Sequence, residues 1–560
     1  MSEAVLTMAM IGHLPQETAD ARHLLDVLED SFHQALGDTQ TRWLLSPAYS
    51  DAAWLALAKQ RGAQCQIVRR ESDAAWADAG DCQVVTHARL RSYEGDWLLA
   101  NADVLFIVYG EQAGEMDGAV WEMLCRAHNE HIPCVWLSSL TGKAYWPMES
   151  YYEPFQKDDF VRLLARMYAR NAPAEDENES LAARLMLRWG GALQRRFLAK
   201  HTPSTGERYE PRDVLIERPA QQQQGEMQRQ LAALFQTHDR DAIDYGEKYR
   251  AVMYWRAVLP TIATVCLAIG IYVSDIPAII RTIAGWLGLG VGATAEGVFA
   301  ALDAPLHALS GIGFLVNGFI LLYAYRMSQA STLERWHQRY VNSRQAAEVY
   351  RILAHYAPYG IGIDLRRILS GNAQVLSTVR GEVRRIAPEH VTLDDALLDE
   401  VLRHTGEMLE DQSAYHEKSV RRYEAVTSAL VRRASVLKQL GFFWLLVRAV
   451  TQFFIGMGVI GQGNKTGTIA NMIAMVLPAV ATYFSAKNEQ CKYEFHLENH
   501  RMMKKNIDGA RVRIEEIRES AGTPSVELVA SVAQTISELM IVDDTSNWHE
   551  KISKAGFTQL

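Results

Sequence analysis

Asp117 and Glu122 are the carboxylates whose spacing points to chemistry. They open and close Asp117-Gly118-Ala119-Val120-Trp121-Glu122, at the start of a stretch with helical periodicity over 117–129. Backbone amides at a helix start bind phosphate or ribose oxygens. Gly118 lets a ligand approach the backbone closely. A carboxylate at Glu122 can attack an anomeric carbon or hold ribose hydroxyls. Asp117 fits a helix cap equally well, and Glu122 a solvated helix face.

Such residues need a scaffold, and residues 5–138 supply one. Apolar runs at 5–11, 42–45, 65–68, 83–86, 104–108 and 134–137 read as strands, and 17–36, 51–61 and 117–129 as helices between them. That alternation predicts an α/β domain with a Rossmann-like parallel sheet and helices on both faces. Ligands of such sheets bind beyond the carboxyl ends of the strands. The predicted ligand-binding residues there are Gly12, His13, Ser46, Gly110, Glu111, Asp117, Gly118 and Glu122. Neither GxGxxG nor GxxxxGK[ST] occurs in this region, so the two common phosphate-loop fingerprints are absent. The six cysteines form no CxxC pair. No metal and no resident cofactor is expected, and a reducing compartment fits.

The segment Asn-Ala-Asp-Val-Leu-Phe-Ile-Val-Tyr-Gly at 101–110, followed by Asp-Gly-Ala-Val-Trp-Glu at 117–122, resembles the nucleoside 2-deoxyribosyltransferase-like branch of the SLOG and Rossmann-like sensor families. Gly12-His13 is similar to the glycine-histidine turn of SLOG domains. The resemblance covers about the first 140 residues. It implies that Glu122 matches the catalytic carboxylate of an Asp-x-Gly-Thr-x-x-Glu helix start. Ala119 and Val120 flank the place of the usual threonine.

The chain has 560 residues, 48% of them apolar and 22% charged, with a formal net charge of −9. This composition excludes a wholly disordered chain and argues against bulk affinity for nucleic acid. The first 15 residues lack a basic start and a long apolar core, so no signal peptide is expected. Four apolar stretches, 257–273, 306–325, 440–460 and 468–484, reach membrane-spanning length. Lys248, Arg250 and Arg256 precede the first, Arg326 and Arg335 follow the second, and Arg432, Arg433 and Lys438 precede the third. Lys487 and Lys492 follow the fourth. Positive flanks favour the cytoplasmic side, which predicts two hairpins with both termini in the cytoplasm. Between the first two spans, the glycine-rich run 282–295 reads as an interfacial or re-entrant helix.

Arg448 falls near the middle of the third stretch, where a charge costs at least about 2.5 kcal/mol unless it faces a bundle interior or water. It is the first pore or gate candidate, and a structural pair with a carbonyl or a polar side chain such as Gln452 is the alternative; Gln452 and Asn317 are further pore candidates, for which hydrogen bonding between helices is the first alternative. Gly456, Gly458 and Gly461 are expected to let helices approach closely. Each hairpin lies between charged helical stretches, and Trp336-His337 and Phe495-His496 occupy matching places 159 positions apart. This layout reads as a duplicated two-span unit.

The layout resembles the SLATT membrane effector domains of bacterial conflict systems, which are fused to nucleotide-sensing domains. The predicted organisation is a sensing domain at 1–170, a linker with a basic amphipathic helix at 171–240, and all-α membrane units with long cytosolic helices at 241–390 and 391–560. The family implies a homo-oligomeric effector of the bacterial inner membrane. It would bind a nucleotide-derived signal and assemble or gate a pore in anti-phage defence. The alternative is a membrane-anchored nucleoside or NAD glycohydrolase with Glu122 as its catalytic residue.

Overall fold

The computed structural model describes residues 4–12, 14, 19–36, 39–70, 76, 83–87, 91–109, 118–129, 132–139, 141–148, 151–167, 189, 192, 196, 225–275, 277, 280, 293–333, 336–369, 371–386, 391–457, 466–520 and 524–556. Its first part is a sheet built from β1 (Ala4–Gly12), β2 (Thr39–Leu45), β3 (Gln64–Arg70), β4 (Gln83–His87), β5 (Val104–Tyr109), β6 (Cys134–Ser138), β7 (Ala144–Met148) and β8 (Tyr151–Pro154). The helices α1 (Ala19–Leu36), α2 (Ala52–Arg61), α3 (Arg91–Asn101), α4 (Gly118–Asn129) and α5 (Lys157–Met167) cover it. The α/β domain expected from the strand–helix alternation is thus present, but its sheet is only mostly parallel: β7 runs antiparallel to β6, and β8 antiparallel to β7.

β1 lies at the centre, and side chains along a strand alternate between its faces. Leu6, Met8 and Met10 therefore enter one core with Leu25, Leu28 and Phe32 of α1. Ala9 and Ile11 enter the other with Trp97 and Leu98 of α3.

A ninth strand, β9 (Val391–Leu393), arrives from far along the chain. The sheet order is β8-β7-β6-β5-β1-β2-β3-β4-β9, and β9 pairs parallel to β4 with Val85 opposite Val391. Three residues are too few for periodicity to reveal. The adjoining core is shared as well: Trp97 and Leu98 pack in one cluster with Tyr350, Leu402, Ile507 and Ile536. The sheet and the helical region are one packed body here, rather than a head joined only by a linker.

The helical region comprises α6 (Glu226–Tyr272), α7 (Ala293–Leu333), α8 (Trp336–Tyr356), a single turn at Leu365–Ile368, α9 (Ala373–Val383), α10 (Asp395–Gly456), α11 (Thr466–Gln490), α12 (Tyr493–Glu519) and α13 (Val526–Gly556). Residues 226–240, drawn into the linker by composition, are helix. Among the described residues, three helices are long and apolar enough to cross a membrane: Glu226–Tyr272, Ala300–Arg326 and Asp395–Gly456. They contain the second expected stretch whole, and the first and third up to residues 272 and 456. The fourth, 468–484, lies in α11, which is not among those three. The run 282–295 falls almost wholly outside the described residues, as does the basic helix within 171–240 up to residue 224.

The two-unit layout recurs in space. α8 packs along α6 after the first hairpin, as α12 packs along α10 after the second. His337 lies 4.7 Å from Tyr249, and His496 stacks on Tyr423 at 5.4 Å. Small residues bring each hairpin together. A Cβ on Gly313 would sit 3.0 Å from the Gly270 backbone, and one on Gly441 3.4 Å from Pro478. A Cβ on Gly456, expected to serve this purpose, would meet nothing within 4 Å among the described residues. Gly458 and Gly461 lie outside the described residues.

Candidate site at the carboxyl end of the sheet

From β1 the chain winds outward through β2, β3 and β4, then returns to β5 on the other side of β1. The reversal falls between β1 and β5, where open α/β sheets bind ligands. Gly12 ends β1 there with φ +93°, and a Cβ at this position would lie 2.0 Å from the Val108 carbonyl oxygen of β5. Only glycine fits.

The next strand end is pinned to it. Ser50 N–H donates to the Ser46 carbonyl at 2.6 Å, and Gly12 N–H to the Tyr49 carbonyl at 2.7 Å. The Ser50 hydroxyl donates to the Met10 carbonyl at 2.5 Å. Trp54 Nε1–H donates to the Gly12 carbonyl at 2.9 Å. The 46–50 turn is thereby fixed against β1 before any ligand arrives.

The floor of this turn is Glu94 of α3, which is fully buried. The Ser46 hydroxyl donates to its carboxylate, and Ala48 N–H donates to Glu94 Oε2 at 3.3 Å. Tyr49 lies over α3: a Cβ on Gly95 would come within 2.7 Å of the Tyr49 hydroxyl oxygen. Burial first, then the carboxylates of Glu122, Glu94 and Asp96, push the Tyr49 hydroxyl above its ordinary value, with Arg126 opposing. It stays a protonated donor at neutral pH. Arg126 of α4 in turn pairs with Asp96 of α3. The arrangement offers hydroxyls, a carboxylate and one arginine, a set suited to sugar hydroxyls and to a single anionic group.

Of the residues expected here, the structure joins Gly12 and Ser46 through the 46–50 turn, Gly12 bonding to Tyr49 and Ser46 to Ser50. Gly118 is the first residue of α4, and Glu122 stands on an exposed face of α4 beside Tyr49. The solvated-face alternative for Glu122 therefore describes its surroundings. His13, Gly110, Glu111 and Asp117 lie outside the described residues. Glu94 and Tyr49 were not expected. A signal for Glu94 existed: at helical spacing it shares a face with Trp97, Leu98 and Asn101, and a charge on an apolar face is unusual.

The pore candidates fall on different hairpins. Asn317 lies on α7, which packs on α6. Its Oδ1 is buried without a hydrogen bond among the described residues. Arg448 and Gln452 lie on α10, which packs on α11; Arg448 is half-buried and Gln452 exposed.

Comparison with family models, with curated proteins and with solved structures finds no match to this chain.

Proposed function

We propose that the protein is a membrane effector that binds a nucleotide-derived signal at the β1/β5 switch point and answers by assembling or gating a pore. The observation that carries this reading is the course of the chain after β9. Leu393 ends the sheet, Asp394 caps α10 by accepting from Leu397 N–H at 2.8 Å, and α10 then runs unbroken for 62 residues. Its last part, 440–456, is the apolar stretch with Phe442, Phe443 and Phe453 exposed. One helix thus joins the sheet edge to a membrane-length apolar surface. A sheet that shifts on binding ligand moves that helix as a lever.

The remaining features fit the same picture. Leu315, Phe319 and Phe442, each 65% or more exposed, suit lipid or neighbouring copies of the chain. Two hairpins enclose little water alone, so a pore needs several subunits. The cationic flanks place both termini in the cytoplasm, and the SLOG-like and SLATT-like patterns support a role in bacterial anti-phage defence at the inner membrane. In this reading α11 is a fourth span, and Arg448 and Gln452 turn toward the pore.

The test is calorimetric titration of the full-length chain with a panel of nucleotides and nucleoside phosphates. Glu94→Gln keeps the side-chain shape and removes the charge that holds the 46–50 turn. Charge-assisted hydrogen bonds contribute about 1.5–3 kcal/mol, so affinity should fall roughly 10- to 100-fold. Unchanged binding by Glu94→Gln would move the site elsewhere. Release of free base during the titration, lost in Glu122→Gln, would establish the glycohydrolase reading instead.

A further inference from the structure

A groove of about 470 Å³ runs along the outer surface of the first hairpin, between α6 and α7. Leu259, Val316, Phe319, Leu322, Tyr323 and Arg326 line it. Apolar surface in a bilayer attracts acyl chains without discrimination, so the end of the groove decides what it selects. That end is polar. Arg326 is exposed there, and the Tyr323 hydroxyl oxygen is buried with no hydrogen-bond partner among the described residues. A buried hydroxyl without a partner is costly in an apolar setting, which points to a ligand that supplies one.

The dimensions match one molecule. Val316 and Arg326 are ten positions apart on α7, about 15 Å at 1.5 Å per residue. That is half of a hydrocarbon core of about 30 Å. Arg326 ends its apolar stretch on the side that the flanking charges assign to the cytoplasm. Leu259 lies near the start of the first stretch, on the same side. The groove therefore reaches from inner headgroup level to the midplane.

We propose that this groove is a binding site for an anionic phospholipid of the inner leaflet. One acyl chain lies along Leu259, Val316 and Phe319, the phosphate rests on Arg326, and the Tyr323 hydroxyl donates to a phosphate or ester oxygen. The site lies on the hairpin beside α10's partner helix, α11, which packs on α6. An occupied groove stiffens the α6/α7 pair and sets where the bundle sits in an anionic membrane. This inference rests on the membrane reading above.

The experiment is native mass spectrometry of the full chain titrated with phosphatidylglycerol or phosphatidylcholine. Membrane association after alkaline extraction is measured in parallel. One arginine at an anionic surface contributes about 1 kcal/mol, a factor of roughly five. The wild type should prefer phosphatidylglycerol by about that factor. Arg326→Gln should abolish the preference while remaining resistant to alkaline extraction. Val316→Trp, which fills the groove, should weaken retention of both lipids, and glycerol phosphate should not compete. Equal lipid preference in wild type and Arg326→Gln overturns the site. So does competition by glycerol phosphate, which would show an anion site without a chain channel. A change of oligomeric mass in Val316→Trp with lipid retention unaltered would seat a second copy in the groove, and also overturns it. Release of the wild type by alkali would defeat the membrane reading itself.

Discussion

Arg384→Met in the full-length chain is expected to lower stability by about 3 kcal/mol, the lower end of the cost of breaking a buried ion pair. Asp103, just before β5, is completely buried, and Arg384 Nε lies 3.3 Å from its carboxylate. Thr7 N–H and the Thr7 hydroxyl donate to Asp103 Oδ2 at 3.0 and 2.7 Å. Burial alone would raise the Asp103 carboxyl. Arg384, Arg380 and the two Thr7 bonds overcome that and hold it below the usual carboxylate range. Arg42 of β2 stands close by, brought down to about 10 by burial first and then by repulsion from Arg384. It donates to the Ile386 carbonyl at 3.5 Å.

Arg384 lies just past α9, so this pair fastens the helical region to the sheet at the end opposite the candidate site. Methionine keeps much of the arginine stem's volume but strands a charge in an apolar setting, and a loss of this size is a large share of a typical stability of 5–15 kcal/mol. Urea unfolding of the detergent-solubilised chain, followed by tryptophan fluorescence, measures it. Arg384→Met combined with Asp103→Asn should recover part of the loss, because the stranded charge is gone. A loss below about 1 kcal/mol for the single variant would show that Arg380 and Thr7 suffice.

The second large effect is acid sensitivity of the helical region, where α10 packs on α12. His416 of α10 and His500 of α12 share a hydrogen bond of 2.9 Å between their Nδ1 atoms, so at most one proton occupies that contact. Tyr423 stacks against both His496 and His500 at 5.4 Å. The charged groups facing this array come from several helices. Arg351 and Glu348 of α8 act on His416, Arg422 of α10 on His500 and His496, and Arg250 of α6 and Lys492 on His496. Burial, with these cations adding, depresses His416 and His496 to about 4 and His500 to about 3.

All three are neutral when folded and titrate near 6.5 when unfolded. The folded-state values are depressed, so the unfolded chain binds more protons as pH falls below 6.5. Stability is complete above that pH and declines progressively toward pH 4. Each histidine accounts for about 1.4 kcal/mol per pH unit, so the three together give up to roughly 4 kcal/mol per unit. This array lies outside the apolar stretches: His416 is 24 residues, about 36 Å of helix, before Leu440, and His496 is 12 residues past Phe484. Urea midpoints of the full chain at pH 7 and pH 5 should differ strongly. Replacing His416 and His500 by glutamine should flatten the dependence, and an equal midpoint at both pH values would contradict the assignment.

Much of the fold was legible because its signals are local. Alternating apolar strands and periodic helices placed β1, β2, β5, β6 and α4, and apolar runs marked the hairpins before any packing was known. Gly12 and Ser46 could be placed beside the switch point because they lie at the ends of predicted strands, and strand ends are where such sheets act. Glu122 was chosen for its spacing, yet spacing does not say which face of α4 turns inward. The buried carboxylate is Glu94, supplied by a different helix.

The amino-acid sequence alone determined most of the kinds of element, their order and the apolar stretches, since each depends on residues close together in the chain. Only the tertiary structure decided that residues 391–393 complete the sheet, that Asp103 meets Arg384 across 281 positions, and that the histidines of α10 and α12 pack as an array. Those are choices of partner between distant segments. They follow from the closest packing of whole faces, which no single segment encodes.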